Sequence, residues 1–207
     1  MDIERHPLQP FIPEAARLLM LGSFPPARHR WSMDFFYPNF QNDMWRIFGE
    51  VFFADKLHFV DTKTKTFRRE EIISLLTEKG IALYDTATEV KRTRNTASDK
   101  DLEVVTPTDL DSLIARIPML ETVVTTGQKA TELFASHFNI PQPKVGGNVQ
   151  FTTGGRNFLL WRMPSSSRAY PMSVEKKSET YSKVLAALNG EVTMTHSACN
   201  TKDTNHT

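Results

Sequence analysis

Cysteine is almost missing from this 207-residue sequence: Cys199 stands alone, so no internal disulfide can form. A disulfide-stapled scaffold is thereby excluded. No basic, apolar, small-residue leader opens the chain, and the two absences together lead us to expect a reducing cytoplasm. No apolar run approaches the ~20 residues that crossing a bilayer requires, which argues against a membrane role. An excess of charge of one sign is lacking too. The 25 Lys and Arg against 24 Asp and Glu leave a net charge of +1, so any affinity for a polyanion must be local. Neither GxGxxG nor a P-loop sequence occurs, and no nucleotide cofactor is expected. His6, His29, His58 and His137 are scattered without metal-ligand spacing, so no metal is expected either.

What remains is an ordinary globular composition. Hydrophobic residues make up 40% and charged residues 24%, with 14 Phe, enough for one well-packed core and one domain over residues 1–190. After Gly190 the chain turns polar and aperiodic, and residues 191–207 read as a disordered tail. Short apolar runs at residues 17–21 (RLLML), 81–84 (IALY), 122–126 (TVVTT) and 158–163 (FLLWRM) each end at a glycine, a proline or a polar residue and predict strands. Between them, helical spacing links Met44, Trp45, Phe48 and Phe52; Ile72, Leu75 and Leu76; Leu110, Leu113 and Ile114; Ala130, Leu133 and Phe134; and Tyr181, Val184, Leu185 and Leu188. Alternating strand and helix predicts an α/β fold with a parallel sheet of about four strands covered on both faces. Residues 150–152, before Gly154-Gly155, predict a short antiparallel arm.

In such folds ligands bind beyond the carboxyl ends of the strands, which directs attention to the stretches 22–42, 85–96 and 164–173. The first is too long and aromatic for a plain connector. It opens with Gly22-Ser23-Phe24-Pro25-Pro26, a tight turn whose backbone N–H groups suit an anion or leaving group. It closes with Phe36, Tyr37 and then Asn42 at the start of a helix, where Asn is also a favoured cap. Core packing explains Phe36 and Tyr37 equally simply, and Asp85 fits a cap or turn. Two basic clusters, Arg28-His29-Arg30 and Lys91, Arg92 and Arg94, read by themselves as solvated surface.

The runs GSFPP, FYPNFQNDMW, ALYD, and MPSSSRAY with SVEKK, in that order and spacing, resemble the uracil-DNA glycosylase superfamily, and most closely its hypoxanthine-DNA glycosylase-like branch. The resemblance spans roughly residues 18–188. It implies a three-layer α/β/α sandwich around a short, mainly parallel four-stranded sheet. It also implies that Asn42 handles the attacking water, with Ser23 beside it in the first turn as the second catalytic candidate. Elsewhere in the superfamily an acidic or amide residue in that turn activates water; here Ser23 and Phe24 occupy it, which moves the burden to Asn42. Gly22, Phe24, Phe36, Tyr37 and Asp85 are the implied substrate-binding residues: an aromatic face stacks the base, and the Asp85 carboxylate, an acceptor only, meets a ring N–H. Ser165, Ser166 and Ser167 are implied to hold DNA phosphates, while Arg168 or Tyr170 fills the gap left by an extruded nucleotide. Many relatives have His where Met163 stands, and the four-Cys iron–sulfur cluster that some relatives carry has no ligands here.

The resulting expectation is a monomeric, monofunctional DNA glycosylase that flips out a deaminated or mismatched base, hypoxanthine, uracil or a related one, and hydrolyses its N-glycosidic bond with no metal or cofactor. DNA containing such a base is the expected partner. The alternatives are a non-catalytic DNA-binding or lesion-sensing module of the same fold, and a hydrolase of small nucleoside-like metabolites. All three require Asn42 and residues 165–167 to face one cleft, with the strands ending near Gly22, Asp85 and Pro164 as neighbours.

Overall fold

The computed structural model of the chain describes residues 2–93 and 101–189. Its main sheet is built on β2 (Leu18–Gly22) and β5 (Ile81–Asp85), in which every residue is buried. A strand covered on both faces needs a continuous apolar run rather than an alternating one, which is the pattern LLMLG and IALYD supply. Beyond β2 lie β8 (Thr122–Thr126) and β10 (Arg156–Met163), and the four strands run parallel in the order β5-β2-β8-β10.

The sheet has five strands, not four. The arm expected over residues 150–152 is a full edge strand, β9 (Asn148–Thr153), paired antiparallel with β10 along six registered positions. Gly154 and Gly155 connect the two with φ of 54° and 72°, the left-handed pair that a two-residue hairpin turn demands. The neighbour relation also needs correcting: the strands ending at Gly22 and Asp85 are adjacent, but β8 separates them from the strand that ends before Pro164.

The described residues form the helices α1 (Met44–Phe53), α2 (Arg69–Lys79), α3 (Leu110–Ala115), α4 (Gln128–Phe138) and α5 (Val174–Leu185). Helix α1 packs along α5, which rests on β10, while α2 and α4 lie against β5 and β8. The core they enclose is aromatic-rich, with Trp45, Phe48, Phe59, Phe134 and Tyr181 all but sealed from solvent. A two-strand ribbon, β3 (Val60–Asp61) with β4 (Thr66–Phe67), lies between α1 and α2 in the chain.

A second sheet was not anticipated. Residues 85–96, expected to be a loop, instead leave β5 through Thr86 alone and enter β6 (Ala87–Arg92), which pairs antiparallel with β1 (Glu4–Arg5) on one side and β7 (Leu102–Pro107) on the other. Thr86 is anchored through both its N–H and its hydroxyl to the Gly22 carbonyl, and the Thr108 hydroxyl bonds the Asp85 carbonyl. Lys91 and Arg92 therefore sit on a strand, and Arg94 lies outside the described residues. The sequence ATEVKR buries only Ala87 and Val90 fully, which is why its polar residues read as loop. Those two, with Phe24 and Leu102, form a small core of their own. The tail from Gly190 onward is likewise outside the described residues.

Candidate active site at the strand tips

Parallel strands deliver their last residues to one edge, and four tips meet there: Gly22-Ser23, Asp85-Thr86, Thr126-Gly127 and Met163-Pro164-Ser165. Gly22 stands opposite Asp85 in register. A Cβ at position 22 would lie 2.4 Å from Asp85 Oδ1 and 3.6 Å from the Tyr37 hydroxyl, so only glycine leaves room for that carboxylate. On the other side of β2, a Cβ at Gly127 would lie 3.5 Å from that of Ser165, which brings the serine loop against the tip of β8.

Tyr37 hangs over this edge. Its hydroxyl bonds Thr126 Oγ1 at 3.0 Å and its ring meets Trp45 edge-on, while its backbone has the left-handed φ of 49° that a bulky residue seldom adopts. Tyr37 is half-buried, whereas Phe36 is buried between Phe35, Tyr84 and His6 and belongs to the core. Phe24 is also buried, in the small second core, and presents its edge to His6 at 5.3 Å. Its outer side helps line a cavity of about 540 Å³ with Trp31, Arg28 and Arg92. Ser23 is buried in the same turn, its carbonyl accepting the Ala87 N–H. Of the implied base-binding residues, the structure thus brings Gly22, Tyr37 and Asp85 together, packs Phe36 in the core, and sets Phe24 in the second core beside a separate cavity.

His6 is the residue that sequence reasoning missed. Its Nε2 lies 2.8 Å from Asp85 Oδ2, with the two side chains 2% and 9% exposed. Nothing local marks it, because its partner is 79 residues away. The neighbouring Tyr84 has its phenol pushed above the usual range, by burial first and by the Asp85 charge second.

The second half of the site joins the end of the long loop to the serine loop. Asn42 and Ser167 form a backbone bridge, and the Asp43 N–H donates to the Ser166 carbonyl at 2.9 Å. Asn42 Oδ1 accepts the Met44 N–H at 2.9 Å, so the capping role is present, although Asp43 is the residue at the cap position. Beneath the bridge, Lys177 Nζ bonds Asp43 Oδ2 at 2.9 Å and the Ser167 carbonyl at 2.8 Å. The serines shape their own turn: Ser165 Oγ accepts the Ser167 N–H, Ser167 Oγ accepts the Ala169 N–H, and Ser166 is buried. Arg168 projects outward and approaches Asp43 at 3.5 Å, and the half-buried Tyr170 closes the turn on the Ser167 carbonyl. Helix α5 follows, its first turn capped by Ser173, which accepts the Lys176 N–H.

Asp43, Arg46, Lys56, Arg168 and Ser173 border a groove of about 340 Å³ beside this loop. The Arg46 guanidinium is held below its usual range, mainly by burial and then by the nearby Arg168 charge. Arg46, Lys56 and Arg168 share this groove with the Asp43 carboxylate, and Lys56 is paired with Glu175. Among the described residues no group of three or more His, Cys, Asp and Glu side chains is placed to hold a metal ion. No described helix is long and apolar enough to cross a membrane.

No family model matches the sequence, and no curated protein matches it. Among solved structures, the solution NMR structure of a candidate uracil DNA glycosylase from Methanosarcina acetivorans superposes with a TM-score of 0.59 at 21% identity, covering 91% of this chain and 100% of that one. The two chains share a fold. The fold of this chain is a mixed α/β arrangement with the five-stranded main sheet described above.

Proposed function

We propose that this protein is a monofunctional DNA glycosylase that removes a deaminated base, hypoxanthine or uracil, or a related mismatched one, by hydrolysing its N-glycosidic bond after the nucleotide is flipped out of the duplex. The observation that carries the reading is the backbone bridge between Asn42 and Ser167, which joins the segment of the proposed water-handling residue to that of the proposed phosphate-binding serines. The shared fold supports it.

Breaking the C–N bond builds positive charge on the sugar and negative charge on the departing base, so the site needs a positioned water and donors rather than a strong nucleophile. Asn42 Oδ1 has a second lone pair beyond the one given to Met44, which can accept from the attacking water, while its amide N–H groups are donors. Tyr37 offers a ring at the mouth of the strand tips, and Asp85 an acceptor within them. Ser165 to Ser167, with Arg168, track the phosphates. Lys177, which holds the Ser167 carbonyl, is fully buried in its pair with Asp43, so no Schiff base and no lyase step is assigned to it.

Incubating the protein with duplexes containing hypoxanthine, uracil or mismatched thymine, then treating with alkali, tests this. Strand scission that disappears in Asn42→Ala supports the reading. Because Asn42 Oδ1 is already engaged by the backbone, a lesion-sensing module without chemistry is the second reading, and tight lesion binding without scission would favour it.

A further inference from the structure

We propose that His6 is a positioning residue that holds the Asp85 carboxylate as the hydrogen-bond acceptor for a ring N–H, and that this pair is what lets the pocket accept a lactam base while refusing its amino parent; the inference rests on the glycosylase reading above.

The geometry divides the carboxylate in two. Oδ2 takes the His6 Nε2 contact at 2.8 Å, and Oδ1 stands over Gly22, on the side where the Tyr37 hydroxyl lies. One oxygen is tied down and the other is turned to the strand tips. His6 itself is immobilised: its ring lies 4.7 Å from that of Tyr84, 5.3 Å from that of Phe24 and 6.3 Å from that of Phe36. Its Nδ1 is 3.2 Å from the Leu8 N–H nitrogen and 2.9 Å from the Leu8 carbonyl oxygen, so the backbone of Leu8 offers it both a donor and an acceptor. With Nδ1 accepting the Leu8 N–H, the ring proton sits on Nε2 and is donated to Asp85.

An ionised carboxylate only accepts. Facing Oδ1, the ring N–H of hypoxanthine or uracil is matched, whereas the corresponding nitrogen of adenine or cytosine presents a lone pair and is repelled. Deamination converts that lone pair into an N–H, so a fixed acceptor reads the chemical change itself. A site built around a hydrogen bond rejects the analogue lacking it far more strongly than an apolar pocket rejects a small change in shape. That discrimination requires the carboxylate to be held, which the short N-terminal stretch carrying His6 does.

Single-turnover excision of hypoxanthine from a duplex, measured beside binding to a duplex carrying a tetrahydrofuran abasic analogue, separates this role from a structural one, because the analogue presents the phosphates and the gap but no base. The full-length chain is compared with His6→Leu, which has no donor, and His6→Gln, which keeps one. We expect His6→Leu to slow excision roughly 10- to 100-fold, the effect of losing a hydrogen bond to a charged group. His6→Gln should recover most of the rate, and both variants should bind the abasic duplex as the wild type does. If His6→Leu does not fold, His6→Asn, whose amide is too short to span the contact, takes its place. Excision by the donorless variant at the wild-type rate overturns the proposal, as does abasic binding that falls in step with excision. A wild-type protein that excises no base removes the glycosylase reading and this inference with it, whereas an active wild type with an indifferent His6 removes only the inference.

Discussion

Lys177 and Asp43 form an ion pair at 2.9 Å with their side chains 0% and 3% exposed, and the same ammonium holds the Ser167 carbonyl. Two elements that the chain keeps far apart, the start of α1 and the serine loop, are thereby locked to one another. Truncating one partner strands a charge in the interior. Lys177→Met is expected to destabilise the fold by about 3–5 kcal/mol in denaturant unfolding, the usual result of breaking a buried pair. Pairing it with Asp43→Asn should restore much of that loss; a double variant no more stable than the single would show that the charge is not what matters.

Gly22→Ala places a methyl group 2.4 Å from Asp85 Oδ1. Overpacking of this kind costs about 1–3 kcal/mol. The carboxylate must swing aside, so excision should fall much further than stability does. Comparing melting temperature with single-turnover rate checks this, and a fully active Gly22→Ala protein would contradict the placement of Asp85.

Tyr37→Phe removes the hydroxyl bond to Thr126 while leaving the ring. A net loss of about 1 kcal/mol in stability is expected, with excision largely kept because stacking needs only the π face. Tyr37→Ala should abolish it. Equal activity in the two variants would take Tyr37 out of the pocket.

Glu175 and Lys56 meet at 2.8 Å on the surface, and the bond to Lys56, followed by the N-terminal backbone of α5 and Ser173, draws the Glu175 carboxyl from 4.5 down to about 2. A depressed carboxylate stabilises the folded state above its unfolded value and loses that contribution as pH falls through the folded one. Stability should therefore decline between about pH 4.5 and pH 2. Glu175→Gln should flatten that part of the pH–stability curve, and added salt should weaken the effect because the pair is solvated. A curve of unchanged slope in the variant would refute the assignment.

The parallel strands were legible because doubly covered strands announce themselves as unbroken apolar runs, as in LLMLG and IALYD. The turn at Gly154-Gly155 was legible because paired glycines mark a backbone that must turn left-handed. β6 was not, since its half-buried polar positions imitate a basic loop. The decisive pairs of the candidate site were beyond reach: His6 meets Asp85 across 79 residues and Lys177 meets Asp43 across 134. A lone histidine in IERHPL and the second lysine of SVEKK carry no periodicity that points to such partners. Phe36 and Tyr37 both read as a stacking face or as core, because aromatic residues in a long loop serve equally as ligand platform and as core, and only tertiary packing separates the buried Phe36 from the half-buried Tyr37.

The three-stranded sheet has one further consequence. One of its edge strands is the first strand of the chain, β1, and just past it His6 donates its backbone N–H to the Thr88 carbonyl while its ring reaches Asp85. Leading residues are ordinarily expendable, and tags or trims are placed there without thought. Here a cut before Leu8 would unseat the strand, bare Phe24 and silence the pocket at once.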